Sequence, residues 1–369
     1  MSRVLDTFLE LVSIDSPSGE EAACGRYVAD ALAAAGMSVS FDGSSATTGS
    51  DSGNLVARLE GSAAGMRIVL SGHLDTVQPG RGVEPVIEDG VIRSSGDTIL
   101  GGDDKSGIAA VIEGVRRIVE RGVPHADVVV VMTTGEELGL RGAKALDPVE
   151  LEGAGLAVVL DADGAAGGIV EGAPTHWTFV AEFEGRASHA GVEPEAGVSA
   201  ITMASSAIAA MRLGRLDDTT TANIGTITGG SATNVVAASC TVTGECRSLL
   251  RDRAEDVRQE MDRLMREAAA EAGGRVDIRW TKEYDGFLFS PDDPLVGLVE
   301  AACLDVGVTP RRFRTGGGSD GNIFAGHGVP TLVMSSGMTN VHSTSETLRV
   351  EDLEHLADIV EALLERAVG

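Results

Sequence analysis

A chain of 369 residues exceeds what one compact core of ordinary size organises, so two domains are expected, and a 43% share of hydrophobic residues is enough to pack them. A net charge of −27 argues against nucleic acid or an anionic membrane as partner, since both are bound through basic surfaces. The cysteines (Cys24, Cys240, Cys246 and Cys303) form no CxxC pair, which argues against a disulfide framework or a cysteine zinc site. No apolar run reaches membrane-span length and the opening MSRVLDTFLELVSIDSPSGEE has no signal-peptide pattern, so the expected compartment is the cytoplasm.

Val4, Leu5, Phe8, Leu9 and Val12 follow helical spacing, and Ser18 with Glu21 reads as a capping box opening a second helix. The short runs NLVARLE, RIVLSG, VVVVMTTG and LAVVLD come next, apolar without alternation, as in strands covered on both faces. Ile108, Val111, Ile112, Val115 and Ile118 line one side of a helix over residues 108–119, and the whole reads as α/β. Around Trp177 the pattern changes. Alternating segments TFVAEFEG, ANIGTIT, CTVTGECR and VDIRW, with helices near 196–211 and 254–272, predict a small α+β sandwich with one free face. From Pro291 the first pattern returns, with a helix from Pro294, the strand TLVMSS and a last helix over 351–367. The expected division is therefore 1–176 and 288–369 for one domain, with 177–287 inserted into it.

The chemistry concentrates at strand ends. In RIVLSGHLDTV, His73 and Asp75 are two apart and face the same way, an imidazole beside a carboxylate that can orient it on a metal. Asp103 and Asp104, in LGGDDKSGIAA, stand where a glycine-rich turn enters a helix; helix capping accounts for one aspartate but not for two. Glu136 and Glu137 lie just past VVVVMTTG, where open α/β sheets place ligands. Adjacent carboxylates there repel one another and lose solvation, a conflict that a cation resolves. Asp161 ends AVVLDADG with Asp163 two residues on, and His342 follows the last strand in TNVHSTSE. Mixed nitrogen and oxygen donors without thiolates suit zinc with open coordination positions. His125, His176, His327 and His355 have no paired-carboxylate context, Ser319 has no nearby base, and TGGGSDG lacks the lysine of a phosphate loop.

The segments SGHLDTV, GGDDKSG, TTGEELGLRGAK, LDADG, GRASHAG, GGSATNVV, GECRS, GGGSDGN and NVHSTSE resemble, in order and over nearly the whole chain, the co-catalytic zinc exopeptidases and amidohydrolases. That family includes peptidase T, glutamate carboxypeptidase, acetylornithine deacetylase and succinyl-diaminopimelate desuccinylase, and GGDDKSG with LDADG points to the peptidase T branch. The resemblance implies a helix-flanked mixed sheet of the zinc aminopeptidase (phosphorylase/hydrolase-like) kind, with an inserted ferredoxin-like α+β lid that joins two chains into a homodimer. It implies two Zn2+ per chain, with Co2+ or Mn2+ able to substitute. Asp103 would bridge, His73 and Asp161 would complete one site, and Glu137 and His342 the other. Glu136 would be the general base on a zinc-bridging water and Asp75 the partner behind His73. Counting back to Gly153 and Ala154 favours Asp161, with Asp163 still open. His189 would stabilise the scissile carbonyl, from the partner chain, and Asn234, Arg247, Gly318 and Ser319 would bind substrate.

The implied reaction is hydrolysis of an amide bond at the end of a small peptide, in the manner of an aminopeptidase or tripeptidase. A carboxypeptidase or an N-acyl amino acid deacylase remains open. Glu136, which binds no metal in this reading, argues against a non-catalytic metal-binding protein. Peptidase T carries an arginine directly before its Gly-Gly-Thr-Asp segment, whereas Gly316 precedes Gly317, Gly318, Ser319 and Asp320 here, and Arg314 lies two residues too early. Strict tripeptide specificity is therefore open as well.

Overall fold

The protein is described from a computed structural model over residues 2–368. Helices α1 (Arg3–Val12) and α2 (Ala22–Ala34) are followed by strands β1 (Ser38–Phe41), β2 (Leu55–Leu59) and β3 (Ile68–His73). Helix α3 (Gly102–Arg121) leads to β4 (Val128–Thr133), β5 (Leu156–Ala162) and β6 (Gly168–Ala173). A second set comprises β7 (Thr175–Glu184), α4 (Ala200–Ala210), β8 (Gly214–Asp217), β9 (Thr220–Gly229), β10 (Ser239–Ser248), α5 (Arg251–Glu271) and β11 (Arg275–Tyr284). The chain closes with α6 (Pro294–Asp305), β12 (Arg311–Arg314), α7 (Asp320–Gly326), β13 (Thr331–Ser335) and α8 (Val350–Arg366). Two compact units result among the described residues: the larger takes 2–172, Phe289–Thr315 and 319–368, and the smaller takes Ala173–Leu288 with Gly316–Gly318.

In the larger unit the sheet runs β1-β2-β4-β3-β5-β13-β6, with β12 beside β6. Strands β4, β3, β5 and β13 are parallel neighbours, while β2 pairs β4 and β13 pairs β6 antiparallel. Every residue of β3 and of β4 is buried, because helices cover both faces of the sheet; this is why these strands are unbroken runs of Val, Ile and Leu. The apolar stripe of α3 (Ile108, Val111, Ile112, Val115 and Ile118) packs in the same core as α1, α2 and α8. Parallel strands end on one side. His73 sits opposite Thr133 in the β3–β4 register, so His73, the turn after β4 and Asp161 near the end of β5 are delivered to one edge.

The smaller unit is a sheet of order β8-β9-β10-β7-β11, all pairs antiparallel, with α4 and α5 against one face. Phe179, Ala181 and Phe183 alternate inward from β7 to meet Met203 and Ala207 of α4 and Val257, Met261 and Met265 of α5.

Three local expectations change. The capping box at Ser18 and Glu21 does not form: α2 begins without a side-chain cap, the Ser18 hydroxyl donates to Asp75, and Glu21 turns inward to accept from the amides of Gly19 and Gly135. Helix α3 starts six residues before Ile108, and Asp103 and Asp104 hold non-helical dihedral angles, joined by a cis peptide. Strand β8 and a small separate sheet built on Pro85–Glu88 and Val91–Ser94 lie in stretches whose pattern is too short to signal a strand. No helix among the described residues is long and apolar enough to cross a membrane.

Candidate metal centre

His73 is buried at the end of β3, with Nε2 3.0 Å from Asp103 Oδ1 and 3.6 Å from Asp161 Oδ1. His342 reaches the same aspartate from the other side: its Nε2 lies 3.1 Å from Asp103 Oδ2 and 2.8 Å from Glu137 Oε1. The two oxygens of Asp103 thus face two different imidazoles. His342 adopts φ 60°, in the left-handed region that a residue with a Cβ rarely occupies, so its loop is held there by its surroundings. One potential ligand atom each from His73, Glu136 and Glu137 falls within 4.8 Å of the others, as does one each from His73, Asp103 and Asp161, and one each from Asp103, Glu137 and His342. The last two donor sets, nitrogen and oxygen without sulfur and sharing Asp103, fit a pair of divalent ions. Asp163 is exposed and outside both, so of the two aspartates in LDADG the structure brings Asp161 to the site.

The electrostatics have the same origin. Burial, reinforced by the charges of Asp103 and Asp320, pushes Asp161 up to about 7 against the opposing pull of His73. Burial and the charge of Asp161 raise Glu136 well above the usual carboxylate range, and burial raises Glu137. Asp103 goes the other way: burial opposes ionisation, but hydrogen bonds to His342 and His73 hold it below its ordinary value. The bond to Asp103 lifts His342 to about 9. Carboxylates that repel one another at the end of a buried sheet make a cation-seeking site.

Asp75 stands behind His73 and also holds a turn. The His73 ring nitrogen Nδ1 lies 2.9 Å from the Asp75 backbone carbonyl and 3.5 Å from its carboxylate. The Asp75 carboxylate also accepts from the backbone N–H groups of Glu136 (2.9 Å) and Glu137 (3.2 Å) and from the Ser18 hydroxyl (2.7 Å). Together with Glu21, which accepts from Gly135 N at 3.0 Å, it binds three successive amides of the turn that carries Glu136 and Glu137.

In the smaller unit, His189 pairs with Val235 in an isolated bridge and Ala190 N donates to the Asn234 carbonyl, so His189 and Asn234 share one exposed loop cluster. It lies beyond the end of the sheet at which Ser239 pairs with Glu184. Arg247 is at the other end, opposite His176. Its Nε and Nη2 donate to the Glu245 carboxylate at 3.2 and 3.0 Å, and Nη1 donates to the Gly316 carbonyl at 3.0 Å. His176, which has no paired-carboxylate context in the sequence, lies 2.8 Å from Glu245, which its neighbouring strand supplies. Gly318 packs so tightly on Tyr284 that a Cβ would fall 2.2 Å from the ring. Ser319, in the larger unit, uses its hydroxyl to accept from Gly321 N in a capping box with Asn322, so it serves as the cap of α7.

The sequence pattern of peptidase family M20/M25/M40 matches residues 69–366. The chain belongs to that family. It is accordingly a metallo-exopeptidase of the peptidase T-like kind, and its mixed α/β fold is that of the family's solved structures. It is similar to the uncharacterized protein YqjE of Bacillus subtilis, 40% identical over 365 residues, covering 99% of this chain and 98% of that protein. It is similar to the aminopeptidase PepT of Bacillus cereus, at 41% identity and TM-score 0.95, covering 99% of this chain and 98% of that one. A tripeptidase of Staphylococcus aureus is 36% identical with TM-score 0.93, covering 98% of this chain and 97% of that one.

Two buried aspartates near these donors, Asp320 and Asp104, received no part of their own from the sequence. Asp320 is buried, accepts from the Thr133 hydroxyl and is pushed by burial up to about 6. Asp104 is wedged where a Cβ on Gly72 or Gly107 would fall 2.2 or 2.5 Å from its oxygens. Its Oδ1, like that of Asp320, finds no hydrogen-bond partner among the described residues. The available signal was the glycine on each side of the DDKS and SD segments.

Proposed function

We propose that this M20 peptidase is a dinuclear zinc aminopeptidase acting on short peptides. The observation that carries the proposal is the split of Asp103, one oxygen towards His73 and the other towards His342. His73, Asp103 and Asp161 would hold one zinc, and Asp103, Glu137 and His342 the other. When bound, the pair supplies Lewis acidity for the scissile carbonyl and lowers the pKa of water. Glu136, which neither ligand set needs, accepts the proton of the attacking water and returns it to the departing amine. His189 stabilises the developing oxyanion, and Asn234 and Arg247 contact the substrate.

The smaller unit supports a homodimer in this scheme. From Ser239 to Arg247 the strand advances roughly 26 Å, at about 3.3 Å per residue, whereas a tripeptide spans only about 10 Å. The His189–Asn234 cluster and Arg247 therefore cannot touch the same small substrate from one chain. They serve two sites, with His189 and Asn234 acting on the partner's. The free amino terminus is the better anchor for specificity, because Arg247, though in contact with the substrate, already neutralises Glu245, and glycine replaces the arginine of peptidase T at Gly316. Two proteins similar to this chain, an aminopeptidase of Bacillus cereus and a tripeptidase of Staphylococcus aureus, support a peptide substrate.

The test incubates zinc-loaded protein with di- and tripeptides, the same peptides N-acetylated, and N-acyl amino acids, read by mass spectrometry. Release of the N-terminal residue from free-amine peptides alone is expected. Cleavage confined to acyl amino acids, or to the C-terminal residue, would replace the aminopeptidase by a deacylase or a carboxypeptidase.

A further inference from the structure

Glu346 stands four residues after His342 in NVHSTSE, and its side chain is enclosed, at 1% exposure. Its carboxylate reaches across to the turn that opens α3. Oε2 accepts from the backbone N–H groups of Leu100 and Gly101, each at 2.8 Å, and Oε1 accepts from that of Asp103 at 3.0 Å. The turn needs such an anchor, because Gly101 is left-handed at φ 76° and Asp103 and Asp104 depart from helical geometry, so their amides have no helical acceptor. The fit is close: a Cβ on Gly102 would lie 3.0 Å from Oε1.

The other end of this strut is His342. Between His342 and Glu346 the chain folds on itself, with Ser343 Oγ donating to the Asn340 carbonyl at 2.7 Å and Glu346 N donating to the Ser343 carbonyl at 3.1 Å. The carboxylate therefore fixes the main chain of Asp103 to the loop that presents His342, and it touches neither side chain. We propose that Glu346 is a positioning residue that sets the spacing of Asp103 and His342, and with it the affinity of the Asp103–Glu137–His342 site for its ion. This inference rests on the two-ion reading above.

A buried carboxylate is costly unless its lone pairs are used. Loop closure alone would be served as well by a neutral acceptor. The use of both oxygens is what only glutamate provides, since Glu346→Gln turns one acceptor into an NH2 group facing an amide donor.

The experiment titrates metal-free wild type and Glu346→Gln with Zn2+ against a competing chelator, and records the Co2+ absorption spectrum of each. Circular dichroism of the metal-free proteins checks folding. Wild type should bind two ions. Glu346→Gln should keep the first and bind the second about 10- to 100-fold more weakly, the usual penalty for losing an outer hydrogen-bond partner of a metal site, with a changed cobalt spectrum for that ion. Two ions bound by the folded variant with wild-type affinity and spectrum would overturn the proposal. A wild type that binds no pair would instead overturn the two-ion reading. If Glu346→Gln cannot be isolated folded, Ser343→Ala, which loosens only the turn between His342 and Glu346, should weaken the second ion selectively, and equal affinities would overturn the proposal.

Discussion

The acidic residues of α5 and those at the ends of β3, β4 and β5 are the same chemical groups in opposite circumstances. On α5, Glu255 meets Arg258 at 2.5 Å, Glu260 meets Arg263 at 2.7 Å and Asp262 meets Arg266 at 2.6 Å, all at helical i,i+3 or i,i+4 spacing. The hydrogen bond from Arg258 brings Glu255 down to about 2. Asp161, enclosed and facing other carboxylates, is pushed to about 7 instead. Net charge alone hides this contrast. A paired and solvated carboxylate asks for nothing further, whereas a buried group of carboxylates facing imidazoles is complete only with a cation.

The sharpest break in that comparison is Glu136→Gln. Turnover should fall on the order of 10²- to 10⁴-fold, with melting temperature and metal content close to wild type. Near-normal turnover in a folded, metal-replete variant would return Glu136 to the class of the α5 carboxylates.

Next in size is complementation between inactive variants. Mixing His189→Ala with Glu136→Gln under subunit exchange should restore about a quarter of wild-type activity, since half of the dimers would be mixed and each would hold one intact site. No recovery despite proven mixed dimers would place His189 and Glu136 in the same chain's site.

A smaller effect is the pH dependence of the metal-free protein. Asp161 at about 7 and His342 at about 9 are both raised in the fold. Their contribution to stability is complete below the ordinary values and is lost as pH rises through the raised ones. The metal-free protein should therefore melt several degrees lower at pH 8 than at pH 5.5, while zinc-loaded protein should change less and release protons on loading at pH 7. Calorimetry and a pH-stat measure both, and equal slopes for the two forms would contradict the account.

The smallest effect belongs to α5. Arg263→Ala removes the contacts to Glu260 and Glu267, yet because these pairs are exposed and screened by solvent it should barely move the melting temperature and leave metal binding unchanged. A loss of bound metal would show that the two populations of carboxylates are not independent.

How much of this was readable in sequence follows from the distance over which each contact acts. The unbroken apolar runs announced β3, β4 and β5, and the residues just past them announced His73, Glu136, Glu137 and Asp161. What pins those residues is remote. Glu21 serves Gly135 across 114 positions and Glu346 serves Asp103 across 243. The Ser18 and Glu21 pair shows the competition directly, because a local capping pattern gave way to buried amides and to Asp75 that only the folded chain brings near. His176 and Glu245 escaped notice for the same reason, facing each other across strands 69 positions apart.

The central claim is that the clustered donors hold two ions on which hydrolysis depends. Elemental analysis of the purified protein, before and after exhaustive chelation, with peptide hydrolysis measured on the same samples, tests it most directly. The account predicts up to two zinc-like ions per chain, loss of hydrolysis with their removal and recovery when they are restored. Undiminished hydrolysis by protein shown to be free of metal would contradict it.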